Sequence, residues 1–237
     1  MTAERRNRSR PAGAQAAAGT STLGIVAERG RASDRVLEEL REMILTLQLA
    51  PGAVITEASL VEIMGCSRTP LREALQRLVY EHLVVAVPRR GVSVADLSLV
   101  DFGPIVEAFE CVDSVTVRLA AERLSDEVLD ELDGVLRESD EAEAAGDLAR
   151  VVGLDFRFHT TFGAVAGNPF LLEFQEMLLH LLARFVYLGF ARAGTAAGAI
   201  ADHRRIVAAL QARDADAAET AVRDHCHNGR ERMRVAL

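Results

Sequence analysis

The amino-acid sequence predicts a mainly α-helical protein with two domains: a small N-terminal domain of helices and a hairpin, and a C-terminal all-α bundle of six to seven helices. The chain of 237 residues is long enough for two domains of roughly 100 residues each. Strand-like segments occur only near residues 84–94. From residue 98 onward, apolar residues recur at helical spacing. The predicted divisions are residues 1–30, 31–95 and 98–237.

Charge differs between the two halves of the chain. All 27 basic residues are arginine, and the net charge is −8. Residues 1–94 carry 13 arginines against 10 acidic residues, whereas residues 95–237 carry 14 against 25. A basic patch in the first half can contact phosphate, but the acidic remainder cannot be coated with nucleic acid. Three cysteines without paired spacing, and no apolar run of ~20 residues, predict a cytoplasmic protein that does not span a membrane.

The first elements are a tail and a helix. Residues 1–30 contain few large apolar side chains to offset the entropy of ordering, which predicts a flexible tail. Its RRNRSR run either attracts DNA non-specifically or is solvated and without a role. Ser33 is expected to cap the first helix, whose apolar residues lie between 36 and 47, and LAPG at 49–52 is expected to end it.

Two further helices follow at short intervals. Thr56 is a predicted cap of the second helix, and Gly65 is expected to end it in the left-handed conformation. Ser67 is a predicted cap of the third helix, with Pro70 in its first turn, where a missing N–H has no intrahelical partner to lose. The polar side chains near this positive helix end are Arg68, Thr69 and Arg72. Such an end can insert into the major groove, where arginine pairs with guanine.

Two short strands, Val84 to Val87 and Val92 to Val94, are expected to flank a Pro-Arg-Arg-Gly turn. Together with the three helices, this basic hairpin predicts a winged helix-turn-helix. Such a domain is expected to place its third helix in the major groove of double-stranded DNA.

Residues 51–94 resemble the DNA-binding domain of GntR-type bacterial transcription regulators, most specifically in SRTPLREAL followed by RRG. The family usually has Glu-Gly-Leu after the third helix, but this chain has His82 in place of the glycine, so a left-handed histidine is expected there. Each arginine of the surface could instead be a solvated or internally paired charge. The DNA-binding residues that the helix end and the resemblance imply are Arg35, Ser67, Arg68, Thr69, Arg72, Arg77, Arg89, Arg90 and Gly91.

The remainder of the chain is predicted to form six helices, with capping residues at Ser98 and Ser125 and glycine-containing breaks later. It resembles the ligand-binding domain of the FadR subfamily of GntR regulators, called FCD. The resemblance rests on RLAAER at 118–123 and DFRFHTTFGAVAGNP at 155–169.

Helical spacing predicts a candidate metal site. Asp155 and His159 lie four residues apart and face one side of a helix, and His203 lies on an apolar stripe. In DHCHN, His225 continues a row of small apolar residues, whereas His227 shares a face with charged residues. Cys226, about 100° away around the helix, is disfavoured as a ligand. One carboxylate and three imidazoles suit a divalent transition metal, zinc first, with nickel, manganese and iron also possible. A metal-free polar cluster is the alternative.

The resemblance also concerns the effector pocket. In related FCD domains these four ligand positions hold a metal that faces the effector. Phe109 and Asp113 align where many members have a carboxylate-binding arginine and a glutamate, so that arginine is missing here. Either Arg184 or Arg157 replaces it, or the metal alone binds the acid. Tyr187 could line the same cavity or belong to the core.

These observations predict a homodimeric repressor that binds a palindromic operator and is released by a small carboxylate. A metal-responsive regulator, in which the ion itself is the signal, is an alternative. A metal-dependent hydrolase is disfavoured, because no nucleophile or separate general base accompanies the ligands.

Overall fold

A computed structural model describes the backbone of residues 22–236 and the side chains of residues 32–236. Over this range the chain forms nine α-helices and one three-stranded sheet, which confirms the mainly α-helical class. The RRNRSR run and the rest of residues 1–21 lie outside the described residues.

The N-terminal domain combines three helices with an antiparallel sheet. Its elements are α1 (Thr22–Leu45), β1 (Val54–Ile55), α2 (Glu57–Met64), α3 (Arg68–Tyr80), β2 (Val84–Val87) and β3 (Gly91–Val94). Strand β3 lies between β1 and β2 and pairs with both. The predicted hairpin is confirmed. Sequence analysis missed β1, because two residues are too few to show strand alternation.

The first helix begins earlier than predicted. Helix α1 starts at Thr22, and Ser33 is buried within it rather than at its start. Residues 22–32 contain several good helix formers and no proline, so the helix continues through a residue that could also have served as a cap. The prediction of a tail over residues 1–30 is therefore wrong for residues 22–30, which are helical.

Most of the predicted helix ends in this domain are present. The Thr56 hydroxyl accepts a hydrogen bond from the backbone N–H of Ser59 at 3.1 Å, and Gly65 ends α2 with a φ of 57°. Ser67 precedes α3 in an extended conformation, but its hydroxyl accepts no capping hydrogen bond. His82 has a φ of 58°, the left-handed conformation that was predicted for it.

The C-terminal domain is the predicted six-helix bundle. Its helices are α4 (Leu99–Arg123), α5 (Asp126–Ala145), α6 (Leu148–Val165), α7 (Pro169–Ala193), α8 (Ala197–Gln211) and α9 (Ala215–Ala236). Helix α4 packs on α6, α7 and α9, and α8 packs on α5 and α9 around a core that includes Phe158 and Phe162. This packing directs the inner faces of α6, α8 and α9 toward one another. No helix among residues 22–236 combines the length and apolarity needed to cross a membrane.

The two domains contact each other mainly through α1, α3 and α7. Arg184 of α7 donates a hydrogen bond from Nη1 to the backbone oxygen of Ala95 at 2.6 Å. Leu181, also on α7, packs against the N-terminal core. The Tyr80 hydroxyl at the end of α3 donates to Glu173 at 3.2 Å. The third helix of the winged domain is therefore in direct contact with the bundle.

Candidate metal centre and DNA-binding surface

The four predicted metal ligands meet inside the bundle. Helix α6 contributes Asp155 and His159, α8 contributes His203, and α9 contributes His225. One ligand atom of each side chain lies within 4.8 Å of the ligand atoms of the other three. The fold thus brings together, from three helices, side chains that spacing along the sequence had singled out.

Helical periodicity explains why these side chains point inward. Asp155 and His159 are one turn apart, and so they share a face of α6. His203 is 3% exposed and lies on a buried stripe of α8. On α9 the side chain of His225 is 12% exposed, whereas His227 is exposed to solvent. The preference for His225 over His227 therefore agrees with the structure.

The buried imidazoles fit a metal ion. His159 Nε2, His203 Nε2 and His225 Nδ1 are each buried without a hydrogen-bond partner. Asp155 Oδ1 lies 3.4 Å from His203 Nε2. An unpaired buried polar atom costs about 1–3 kcal/mol. Three such nitrogens beside one carboxylate suit a divalent transition metal better than a hydrogen-bonded cluster without metal.

Asp113 orients one of these ligands from behind. Its Oδ2 lies 2.9 Å from His159 Nδ1, and Gln175 Nε2 donates to its Oδ1 at 2.5 Å. Gln175 also donates to the backbone oxygen of His159 at 3.1 Å. With Nδ1–H directed at the carboxylate, the lone pair of His159 Nε2 is free for a metal. Sequence analysis did not identify Gln175, which lies on a different helix from both partners.

Burial and neighbouring charges set the protonation states. Burial lowers the pKa values of His203 and His225 well below that of ordinary histidine, and nearby positive charges, including Arg232, lower them further. Burial also lowers the pKa of His159, but the charge and hydrogen bond of Asp113, together with the charge of Asp155, outweigh it, so this pKa is raised. Burial raises the pKa of the Asp155 carboxyl. Neutral His203 and His225 are in the form that binds metal.

The structure corrects several predictions about the effector pocket. Phe109 does line a cavity beside the ligands, with its ring centroid 5.2 Å from that of His159. Asp113 is fully buried behind His159 and does not line this cavity. Arg184 lies at the domain interface, and Tyr187 packs at the edge of the bundle core. The face of α7 toward the cavity carries Leu182, Val186 and Phe190 at four-residue spacing, from which residues 184 and 187 are rotated away.

Arg157 is likewise remote from the cavity, because it pairs with Glu131 at 3.2 Å and with Glu138 at 3.4 Å on the surface. The arginines that do line the cavity are Arg230 and Arg232 of α9. Neither was singled out from the sequence. The sequence feature that could have identified them is helical spacing. Arg230 follows Cys226 by one helical turn, and Arg232 follows His225 by two turns, so each lies on the same side of α9 as the earlier residue.

The candidate DNA-binding surface lies on the N-terminal domain. Arg72 of α3 is exposed and donates to Glu57 at 3.0 Å, and Arg35 of α1 lies 3.7 Å from Glu39. Such surface pairs contribute little stability, so both arginines can exchange a carboxylate for DNA. Other exposed residues at the start of α3 and in the β2–β3 turn include Ser67, Arg68, Thr69, Arg89 and Arg90.

Two of the implied DNA contacts have other structural roles. Arg77 lies in the last turn of α3, at the end opposite the Ser67 cap, and its Nη1 is 2.6 Å from Asp34 Oδ1. Gly91 has a φ of 116°, and a Cβ at this position would overlap the backbone of Ile55 and Thr56. The sheet itself therefore requires glycine here. Contact of Arg77 or Gly91 with DNA stays a prediction.

Known proteins resemble the chain over both domains. The family model described as bacterial regulatory proteins, gntR family, matches residues 32–94, and the FCD domain matches residues 105–228. An uncharacterized HTH-type transcriptional regulator in an unstable DNA locus of Streptomyces ambofaciens is 34% identical over 201 residues, which cover 83% of each chain. The HTH-type transcriptional repressor GlaR of Escherichia coli (strain K12) is 31% identical over 79% of this chain and 82% of its own length. Among solved structures, E. coli McbR/YncC has a TM-score of 0.77 and 23% identity, covering 86% of this chain and 97% of that one.

Proposed function

The chain belongs to the GntR family of bacterial regulatory proteins and carries an FCD domain, and on this basis we propose that it is a repressor that releases DNA when a small organic acid binds at a divalent metal in the bundle. Its relatives are DNA-binding transcriptional regulators rather than enzymes, so the hydrolase alternative is set aside.

The observation that carries the ligand response is the convergence of four ligand atoms within 4.8 Å, three of them imidazole nitrogens without partners. Asp155, His159, His203 and His225 would hold the ion. Zinc is the first expectation, and nickel, manganese and iron suit the same donor set. Such an ion supplies a positive charge and a coordination position for a carboxylate oxygen.

Two observations support repression at a palindromic operator. The exposed arginines of α3 and of the β2–β3 turn provide a positive surface for phosphate and base edges. A relative with 31% identity is named a transcriptional repressor. We expect the protein to bind as a homodimer, because one recognition helix and one wing contact too few base pairs to select a site in a genome.

DNA-binding titrations of the full chain test this proposal. An operator is selected from random duplexes, and binding is followed by fluorescence anisotropy at constant salt, with and without metal and with a panel of small carboxylates. We expect at least one acid to weaken binding by the metal-loaded protein tenfold or more. His203→Ala should lose metal, measured by elemental analysis, and lose the acid response while still binding DNA. His227→Ala, which changes an exposed histidine, is the matched control and should retain both properties.

The alternatives give different results. If adding metal changes DNA affinity and no acid changes it further, the ion is the signal and the acid response is wrong. Loss of metal in His227→Ala but not in His203→Ala would contradict the ligand set. A full-length protein that takes up no metal after reconstitution would overturn the metal site.

A further inference from the structure

Arg230 is a cation in the wall of the cavity beside the candidate metal centre. It lies on α9 one turn after Cys226 and three residues before Met233, and all three side chains line this cavity. Asp155, His159 and His225 line the same cavity. An anion bound there would therefore be within reach of both the metal ligands and the guanidinium group.

Within residues 32–236, Arg230 has no hydrogen-bond partner or counter-ion. Its Nε atom is buried and unpartnered. Arg232, the other arginine of the cavity, differs, because its Nη1 lies 2.8 Å from Oδ2 of the buried Asp202. Arg230 is half-buried, so an anion in the cavity can pair with a guanidinium group that water only partly surrounds. Arg230 is therefore the cavity arginine without a counter-ion among the described residues, whereas Arg232 has one, although its Nε atom is also buried and unpartnered.

The charges of the site also favour an anion. Asp155 is the one carboxylate among the four predicted ligands, and the buried carboxylate of Asp113 lies behind His159. A divalent ion would offset these two negative charges, and Arg230 adds a positive charge that has no counter-ion among residues 32–236. Arg232 and the exposed Arg205 both pair with the buried Asp202. A single carboxylate on the ligand would offset the positive charge of Arg230.

We propose that Arg230 binds the carboxylate of the effector together with the metal, and that the effector is a short-chain aliphatic monocarboxylate. The inference rests on the proposed function, because it names the class of acid that acts at that site. It assigns a ligand-binding role to a residue of the last helix.

The size and lining of the cavity limit the ligand. Its volume is about 60 Å³, which is room for about four to six water-sized groups. A carboxylate takes about half of that space, which leaves room for a few carbon atoms. Apolar side chains form the rest of the wall, among them Phe109, Leu182, Phe190 and Met233. A second carboxylate would compete with Asp202 for Arg232, because these two side chains are already paired.

Ligand titrations of the zinc-loaded full chain test the inference. The probes are acetate, propionate, butyrate, octanoate and propane-1,2,3-tricarboxylate, with binding measured by calorimetry and thermal shift. We expect affinity to rise about fourfold per added methylene from acetate to butyrate, and octanoate and the tricarboxylate to bind at least tenfold more weakly than butyrate. Arg230→Gln should lower butyrate affinity at least tenfold at unchanged zinc content, and Arg230→Lys should restore part of the loss. Arg234→Gln, on the exposed face of the same helix, should behave as wild type.

Each contrary result is distinguishable. Unchanged butyrate affinity in Arg230→Gln overturns the role of Arg230, and if butyrate still releases DNA, the proposed function stands. Tighter binding of the tricarboxylate than of butyrate overturns the monocarboxylate class. If Arg230→Gln loses zinc or unfolds, zinc-loaded Arg230→Lys decides. Butyrate affinity equal to wild type in Arg230→Lys overturns the role of Arg230, and lower affinity supports it when Arg234→Gln binds butyrate as wild type does. If no acid binds to zinc-loaded wild type, both this inference and the acid response are wrong, while the zinc content reports on the metal site separately.

Discussion

At the scale of single residues, Asp113 orients His159 toward the candidate metal centre. It is fully buried, and its carboxylate is shared between His159 Nδ1 and the Gln175 amide. The negative charge makes the imidazole a better electron donor, and the hydrogen bond holds the ring in place. Asp113 is therefore a positioning residue and not a ligand.

Asp113→Asn is expected to lower metal affinity about 10–100-fold, because the neutral amide supports the imidazole less strongly than the carboxylate does. Competition against a chromophoric chelator measures the effect. Asp216→Asn is the control, because the Asp216 side chain is 88% exposed and pairs with Arg118 rather than with a predicted ligand. Equal metal affinities for the two variants would contradict the positioning role.

His180 is a second residue whose environment has a measurable consequence. Its ring stacks on Phe156 with centroids 4.7 Å apart, close to Arg41 and Glu81 at the domain interface. Burial, and then the charge of Arg41, lower the pKa of His180 to about 3. The nearby Glu81 does not offset this, since Arg41 already pairs with it at 2.6 Å. The folded protein therefore holds His180 neutral at pH values where the unfolded chain binds a proton.

This depressed pKa predicts an acid-sensitive contribution to stability. The contribution is complete above about pH 6.5 and is lost as pH falls toward about 3, because the unfolded chain takes up the proton first. At pH 5 the loss is about 2 kcal/mol. Denaturant unfolding of metal-free wild type and His180→Gln at pH 7.5 and pH 5 checks it. The variant should lose less stability between the two pH values, and equal losses would show that His180 is not the titrating group.

At the scale of elements, the two ends of α3 differ in their contacts. The N-terminal end carries the exposed cluster with Arg68 and Arg72, whereas the C-terminal end carries Arg77, which pairs with Asp34, and Tyr80, which contacts the bundle. Five buried residues between them hold the helix on the winged core. The N-terminal end of α3 is therefore exposed, and the C-terminal end is bonded to the rest of the protein.

Arg72→Ala and Arg77→Ala form a matched pair on this helix. If Arg72 contacts a base edge, its removal should cost about 1–3 kcal/mol on the selected operator and relax specificity at one position. Arg77→Ala should change operator affinity much less, because its side chain lies at the opposite end of α3. Binding to operator and scrambled duplexes over a salt series separates the two effects. Equal losses for both variants would contradict this division of α3.

The contact between α6 and α7 leaves no room for a side chain at one position near the candidate metal centre. A Cβ at Gly163 of α6 would overlap the amide oxygen of Gln175 on α7. The absence of a side chain at Gly163 leaves room for Gln175, which in turn holds Asp113. The orientation of His159 thus depends on a glycine one turn farther along its own helix.

At the scale of the whole molecule, α7 contacts both the cavity beside the candidate metal ligands and the winged domain. Its residues Leu182, Val186 and Phe190 line the cavity, while Leu181 and Arg184 contact the winged domain. A ligand can change DNA binding only if it favours one arrangement of the domains over another. Helix α7 therefore connects the lining of the cavity to the domain interface.

The intact protein is expected to be a two-fold symmetric dimer, and its operator palindromic, because half-sites for one wing and one helix are too short to be selective. Light scattering of the free protein and of the complex with selected DNA measures the stoichiometry. The selected sequences should contain two inverted half-sites. A monomer in both states would contradict the prediction.

Local sequence patterns were sufficient to predict most helices and strands and the four candidate metal ligands. Helical spacing placed Asp155, His159, His203 and His225 on inward faces, and the turn residues Gly65 and His82 adopt the expected left-handed backbone. These features depend on contacts within one or two helical turns, which adjacent residues largely determine. The resemblance to GntR regulators added the expected DNA surface.

The sequence by itself determined the helical class, the two domains and the faces of the helices, because periodicity and capping are local properties. Only the tertiary structure decided that α1 begins at Thr22, that Asp113 lies behind His159, and that Arg230 rather than Arg184 lines the cavity. Each of these depends on how distant helices pack. A residue's spacing shows which side of its own helix it occupies, but the packing of the other helices determines what it meets there.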